Sequence, residues 1–191
     1  MELILAFEGQ EGYPSLMCCT LRPTSLNKGS LHRQRLFTHT FGALVNAARP
    51  VRDGVLSLDE FCSIGHAVTD MPLRSHAVYE SFLARHKITR RVVITTPHHL
   101  SLPYLVAELD VLAMVPVSLA MACRNTRGVQ VVRPPFTPPT FVVGQHWHER
   151  YHLDPRNQWL RQHFVDLFRD DDVWLSFARD LYGALPPPVD R

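Results

Sequence analysis

The chain has 191 residues and a formal charge of +2, with 46% hydrophobic and 20% charged residues. That balance suits one ordinary domain or two small lobes and excludes a largely disordered chain. Near-neutral charge gives no whole-chain signal for nucleic acid or a membrane surface, and no run approaches the roughly 20 apolar residues of a spanning helix.

In chain order, residues 2–7 read as a short buried strand. Residues 9–30 are rich in Gly, Pro, Ser and Asn, which predicts a long loop or weakly ordered segment. The start MELILAF has no basic region and no long apolar core, so it is not a secretory signal. Arg22, Lys28, His32, Arg33 and Arg35 are too sparse for a nucleic-acid patch and read as a solvated loop and strand edge. Residues 33–38 and Phe41–Asn46 look extended. Ser57, with Glu60 three residues on, predicts a capped short helix over 58–61. A short strand over 67–69 and a helix over 75–86 follow, the helix with Val78, Phe82 and Leu83 inward.

Residues 91–116, RVVITTPHHLSLPYLVAELDVLAMVP, read as strand (91–95), a break at Pro97, an apolar-faced helix, and strand (111–115). That is the pattern of a βαβ unit with parallel strands. Loops at the carboxyl ends of such strands face a ligand crevice, which makes residues 95–99 a candidate site. His98 and His99 fall at the predicted helix start, where unpaired N–H groups and the helix dipole favour an anion. The alternative is a merely polar, solvated helix start. Val117–Cys123 then predicts a helix and 129–133 a strand. Pro134, Pro135, Pro138 and Pro139 make a stiff connection, read as a lobe crossover. Residues 141–147 alternate, with Phe141, Val143, Gln145 and Trp147 on one face. Asp154-Pro155 starts a helix over 157–168 carrying Trp159, Leu160, His163, Phe164 and Leu167 at helical spacing. A last helix covers 173–185.

Eleven histidines invite a metal reading. His146 and His148 share one strand face and His152 lies just beyond, but no cysteine pair or paired carboxylate is near, so surface histidines flanking a buried Trp147 are expected and no metal site. Cys18, Cys19, Cys62 and Cys123 form no CxxC, which favours reduced thiols in a cytoplasmic protein. Cys62 and Cys123 read as buried structural thiols, and Glu108 with Asp110 as a solvated boundary. With no GxSxG, P-loop or GxGxxG, no catalytic constellation and no cofactor are expected.

The segments LHRQRLFTHTFGALVNAARP (31–50), LSLDEFCSIGHAV (56–68), RRVVITTPHHLSLPYLVAELDVLAMVP (90–116) and PPFTPPTFVVGQHWHERYHLDPRNQWLRQHF (134–164) together resemble the effector-binding region of LysR-type transcriptional regulators. The likeness is greatest to the nodulation and aromatic-degradation activators. The resemblance implies an α/β fold of two lobes like type 2 periplasmic binding proteins, the second lobe complete and the first incomplete. Residues 1–44 would be a partial first lobe, 45–135 the second lobe, and 136–191 the crossover and return. Phe41–Asn46 would be the first crossover and 136–141 the second, with Leu3, Ile4, Phe141, Val143 and Trp147 left exposed by the incomplete lobe.

The implied function is sensing of a small carboxylate or aromatic effector between lobes. The expected contacts are His66 and Thr69 at one strand end, Thr96, His98 and His99 at the helix start, and Phe136 with Thr137 at the crossover. Expected partners are a homo-oligomer or other regulator subunits, with no membrane. Lacking the family's helix-turn-helix, the chain is read as N-terminally truncated and not expected to bind DNA directly. A non-sensing fragment that associates with full-length regulators and a solute-binding protein of the same fold are the alternatives.

Overall fold

The computed structural model describes residues 20–23, 31–70, 74–168 and 173–187. Eight strands among them form two sheets. The first sheet has three antiparallel strands: β1 (Thr20–Pro23), β2 (Leu31–His39) and, between them, β8 (Phe141–His148). The second has five, in the order β5 (Arg91–Thr96), β4 (Gly65–Thr69), β6 (Val111–Pro116), β3 (Phe41–Asn46), β7 (Val129–Val132). There β4 runs parallel to β5 and β6, while β3 runs antiparallel to both β6 and β7.

Strand alternation explains why the second sheet needs helices on both faces. Phe41, Ala43 and Val45 of β3 pack with Leu56, Phe61, Tyr79 and Leu83, from α1 (Leu58–Ser63) and α2 (Arg74–Arg85) and the segment before them. Leu44 points the other way, into Leu102, Val106, Ala120 and Cys123 of α3 (Leu102–Glu108) and α4 (Val117–Cys123). The result is a three-layer α/β unit. The expected capping box is present: Ser57 Oγ accepts from the Glu60 amide and the Glu60 carboxylate accepts from the Ser57 amide.

The βαβ unit forms with β5, α3 and β6, although β5 is an edge strand, with Val92 47% and Val93 43% exposed. The helix begins later than expected. Residues after Pro97 first make a 3-10 turn, His99–Ser101, and α3 starts only at Leu102.

Three further expectations change. Phe41–Asn46 is no crossover: all but its last residue are buried in the second sheet, so the chain passes between sheets at Thr40, and the boundary drawn after residue 44 falls inside β3. Thr20–Pro23, within the segment expected as loop, pairs with β8, whereas residues 2–7 lie outside those described. Phe141 and Trp147 are buried at 4% and 7% rather than exposed, and His146 is buried at 2% rather than on the surface. β8 is the central strand, and α5 (Pro155–Leu167) supplies its cover. The Arg161 guanidinium sits 4.4 Å from the centre of the Trp147 ring and donates to the carbonyls of Tyr151 and His152 at 3.3 and 2.9 Å.

The start of α5 follows its sequence signal, Asp154 accepting from the Asn157 amide with Pro155 at the first position. Its inward stripe differs from the expected one. Asn157, Arg161 and Phe164 are buried, while Trp159 and Leu167 are each 66% exposed. α6 (Val173–Tyr182) returns to the junction between sheets, where the Tyr182 hydroxyl donates to the Phe41 carbonyl at 2.9 Å.

Candidate functional site

β4 and β6 run parallel, so their carboxyl ends open on the same side, and α2 begins beside them. A cavity of about 20 Å³, room for one water, lies there. Phe41, Val68 and Met114 make its apolar floor, and Thr69, His76, Tyr79, Arg90 and His99 its polar wall.

Tyr79 is 3% exposed, and its hydroxyl lies beside the Arg90 guanidinium without a well-formed hydrogen bond to any described residue. Burial pushes its phenol well above the ordinary value, against the opposing pull of the Arg90 charge. His99 Nδ1 is likewise buried without a partner among the described residues. Burial, with His76 nearby, lowers the His99 imidazole to about 4, so the ring is neutral near pH 7. Arg90 pairs with Glu80. This wall offers hydroxyl, imidazole and guanidinium groups to an oxygen-bearing ligand. Among the described residues, no group of three His, Cys, Asp or Glu could hold a metal.

Of the seven residues expected at an effector site, the cavity brings together two, Thr69 and His99. His66, 1% exposed, is turned into the core, where its Nε2–H donates to the Phe61 carbonyl at 2.8 Å. Burial lowers its imidazole to about 4, offset in part by that carbonyl. Thr96 Oγ1 is 2.8 Å from Ser101 Oγ and so steadies the 3-10 turn. His98 is exposed at the head of that turn. Phe136 is half-buried and packs against the core, edge-on to Phe61 with ring centres 5.1 Å apart and tilted against Phe82 at 5.3 Å, and Thr137 is exposed.

The sequence reading did not single out His76, Tyr79 or Arg90. A signal for the first two existed: they lie three apart, on one face of a helix that follows a strand end. Arg90, just before β5, carries no such signal; its long side chain reaches the cavity from the strand's opposite end.

The chain matches the LysR substrate binding domain over residues 18–169. It is 32% identical over 146 residues to the HTH-type transcriptional activator NahR of Pseudomonas putida, covering 76% of this chain and 48% of that protein. It therefore spans about half the length of the curated relatives it matches. The regulatory domain of MexT, a transcriptional activator in Pseudomonas aeruginosa, superposes with a TM-score of 0.65 at 26% identity, covering 78% of this chain and 73% of that one. The effector binding domain of QuiR in complex with shikimate superposes with a TM-score of 0.66 at 10% identity, covering 79% and 71%. These matches bear out the two-lobed, periplasmic-binding-protein-like fold and place the chain among regulator domains rather than enzymes. The chain belongs to the LysR substrate binding domain family.

Proposed function

We propose that this chain is the effector-sensing part of a LysR-type transcriptional regulator, taking a small carboxylate or aromatic ligand at the carboxyl ends of β4 and β6. The observation that carries the reading is the cavity wall, where Tyr79 and His99 hold buried polar atoms without a well-formed hydrogen bond to any described residue, beside Arg90. Buried groups of that kind are normally satisfied, so their clustering at a strand-end crevice points to a ligand. QuiR's partner in its structure, shikimate, is itself a carboxylic acid. The present space takes only a ligand's polar head; its remainder would lie toward the first sheet. Of the expected contacts, Thr69 and His99 line the cavity, whereas His66, Thr96, His98, Phe136 and Thr137 do not. Ligand binding would favour one arrangement of the two lobes and so bias a regulator oligomer in the cytoplasm. In this reading β1, β2, β8 and α5 contribute to the first lobe and the second begins at β3.

Thermal-shift measurement with a panel of small aromatic acids tests it. At least one acid should raise the melting temperature of the folded chain. If none does, the sensing reading loses to a non-sensing interaction fragment. One observation favours association in either case: the β5 edge exposes Val92 and Val93, and nearby Leu100 and Tyr104 are 71% and 75% exposed. Light scattering after size-exclusion chromatography should find more than a monomer.

A further inference from the structure

The cation in the cavity wall is already occupied. Arg90 has a side chain only 10% exposed, and its guanidinium lies 5.4 Å from the centre of the Tyr79 ring. Its ion-pair partner is Oε1 of Glu80, through one guanidinium nitrogen. The same Oε1 is 3.3 Å from His76 Nε2. That oxygen thus pairs with Arg90 and lies near His76, whose Nε2 makes no hydrogen bond among the described residues, although the Glu80 side chain is 40% exposed and does not itself line the cavity.

We propose that Glu80 is a built-in stand-in for the effector: an organic acid binds by replacing the Glu80 carboxylate at Arg90, and Glu80 returns to water. The inference rests on the effector-site reading and adds to it a selectivity and a restraint. A largely buried guanidinium left unpaired is costly, so some carboxylate must stay with it. Glu80 fills that role from the surface, where its release costs little. Its single contact falls short of the two-pronged pairing a free carboxylate makes with arginine, and the Tyr79 hydroxyl, beside the Arg90 guanidinium, can donate to the arriving carboxylate. Exchange of one carboxylate for another leaves the local charge balance unchanged. A neutral ligand cannot replace Glu80, so the ion pair excludes amides and alcohols of the same shape. The same pair holds affinity for acids down, because each must first displace the resident carboxylate.

Titration calorimetry with benzoate, shikimate and the neutral benzamide tests the exchange. At least one acid should bind the wild type and bind Glu80→Gln about tenfold more tightly. Benzamide should be unaffected, and adding Arg90→Gln should abolish the gain. An acid that binds both proteins equally, or binds Glu80→Gln more weakly, overturns the exchange and leaves the effector site standing. If circular dichroism shows both proteins folded and neither acid binds either, the exchange and the effector-site reading fall together. Should Glu80→Gln not fold, Glu80→Asp, whose shorter arm weakens the contact, must show a gain of about threefold, and equal or weaker binding overturns the proposal.

Discussion

The Thr40 hydroxyl donates to the Pro139 carbonyl at 3.0 Å across a sequence separation of 99 residues. Thr40 sits where the chain leaves the first sheet for the second, and Pro139 where it comes back. Both are buried. One bond thus ties the two crossovers side by side, at the place about which the sheets must move if the crevice opens and closes.

Thr40→Val keeps the shape of the side chain and leaves the Pro139 carbonyl without this donor. The expected loss is about 1–3 kcal/mol, the cost of an unsatisfied buried acceptor. Urea denaturation measures it. A variant as stable as the wild type would mean that packing alone holds the crossovers together.

Gly42 in β3 lies against α4, and a Cβ added there would meet the Ala120 Cβ at 2.6 Å. Both atoms sit on rigid elements, so neither swings aside. Gly42→Ala should cost about 1–3 kcal/mol by overpacking. Ala120→Gly alone should cost about 1 kcal/mol in helix propensity. The double variant should nevertheless be more stable than Gly42→Ala, because it restores the missing space. No recovery in the double variant would place the strain elsewhere.

Burial lowers two core imidazoles from 6.5, His39 to about 3 and His66 to about 4. Both folded values lie below the unfolded one, so the unfolded chain binds more protons in between. The stability these rings contribute is fully present above about pH 6.5 and is lost as pH falls toward the folded values. Each ring adds a slope approaching 1.4 kcal/mol per pH unit, roughly, within that window. His66→Gln, whose amide can still donate to the Phe61 carbonyl, should flatten the decline by about one proton. Unfolding free energies near pH 7, 6 and 5 show the difference, and an unchanged slope would assign the decline to other groups.

The sequence carried the fold further than the site, and particular residues show why. The capping box at Ser57 and the Asp154-Pro155 start are local signals, written within four residues, and both appear. The extended character of Phe41–Asn46 was equally plain, but it cannot say which sheet a strand joins; that depends on pairing with β6 and β7, some seventy and more residues away. The start of α3 slid from Pro97 to Leu102 because His99–Ser101 closed a 3-10 turn, stabilised by Ser101 Oγ donating to the His98 carbonyl at 2.7 Å. At the cavity, Thr69 and His99 were reachable from the crevice rule alone. Tyr79 carried only the one-face helical spacing it shares with His76, and whether that face meets the crevice depends on how α2 lies across the sheet; Arg90, before β5, carried no signal at all. His66 misled for the opposite reason: at a strand end a histidine looks available, yet this one satisfies a carbonyl in the core.

Adjacent histidines with different surroundings give the sharpest test of the site. His98 is exposed, and its backbone carbonyl does the local structural work by accepting from Ser101. His99 turns inward and lines the cavity, and its Nδ1 is buried without a partner among the described residues. A ligand oxygen that satisfies that atom gains a hydrogen bond in a place where water competes poorly. His99→Ala should therefore weaken binding of the acid identified by thermal shift by about tenfold, the loss of one buried hydrogen bond. His98→Ala should stay within about twofold, since only an exposed ring is removed. Calorimetry on the two single variants reads this directly. Equal losses in both would return the site to the exposed face of the turn, and a loss at His98 alone would remove the cavity from the account.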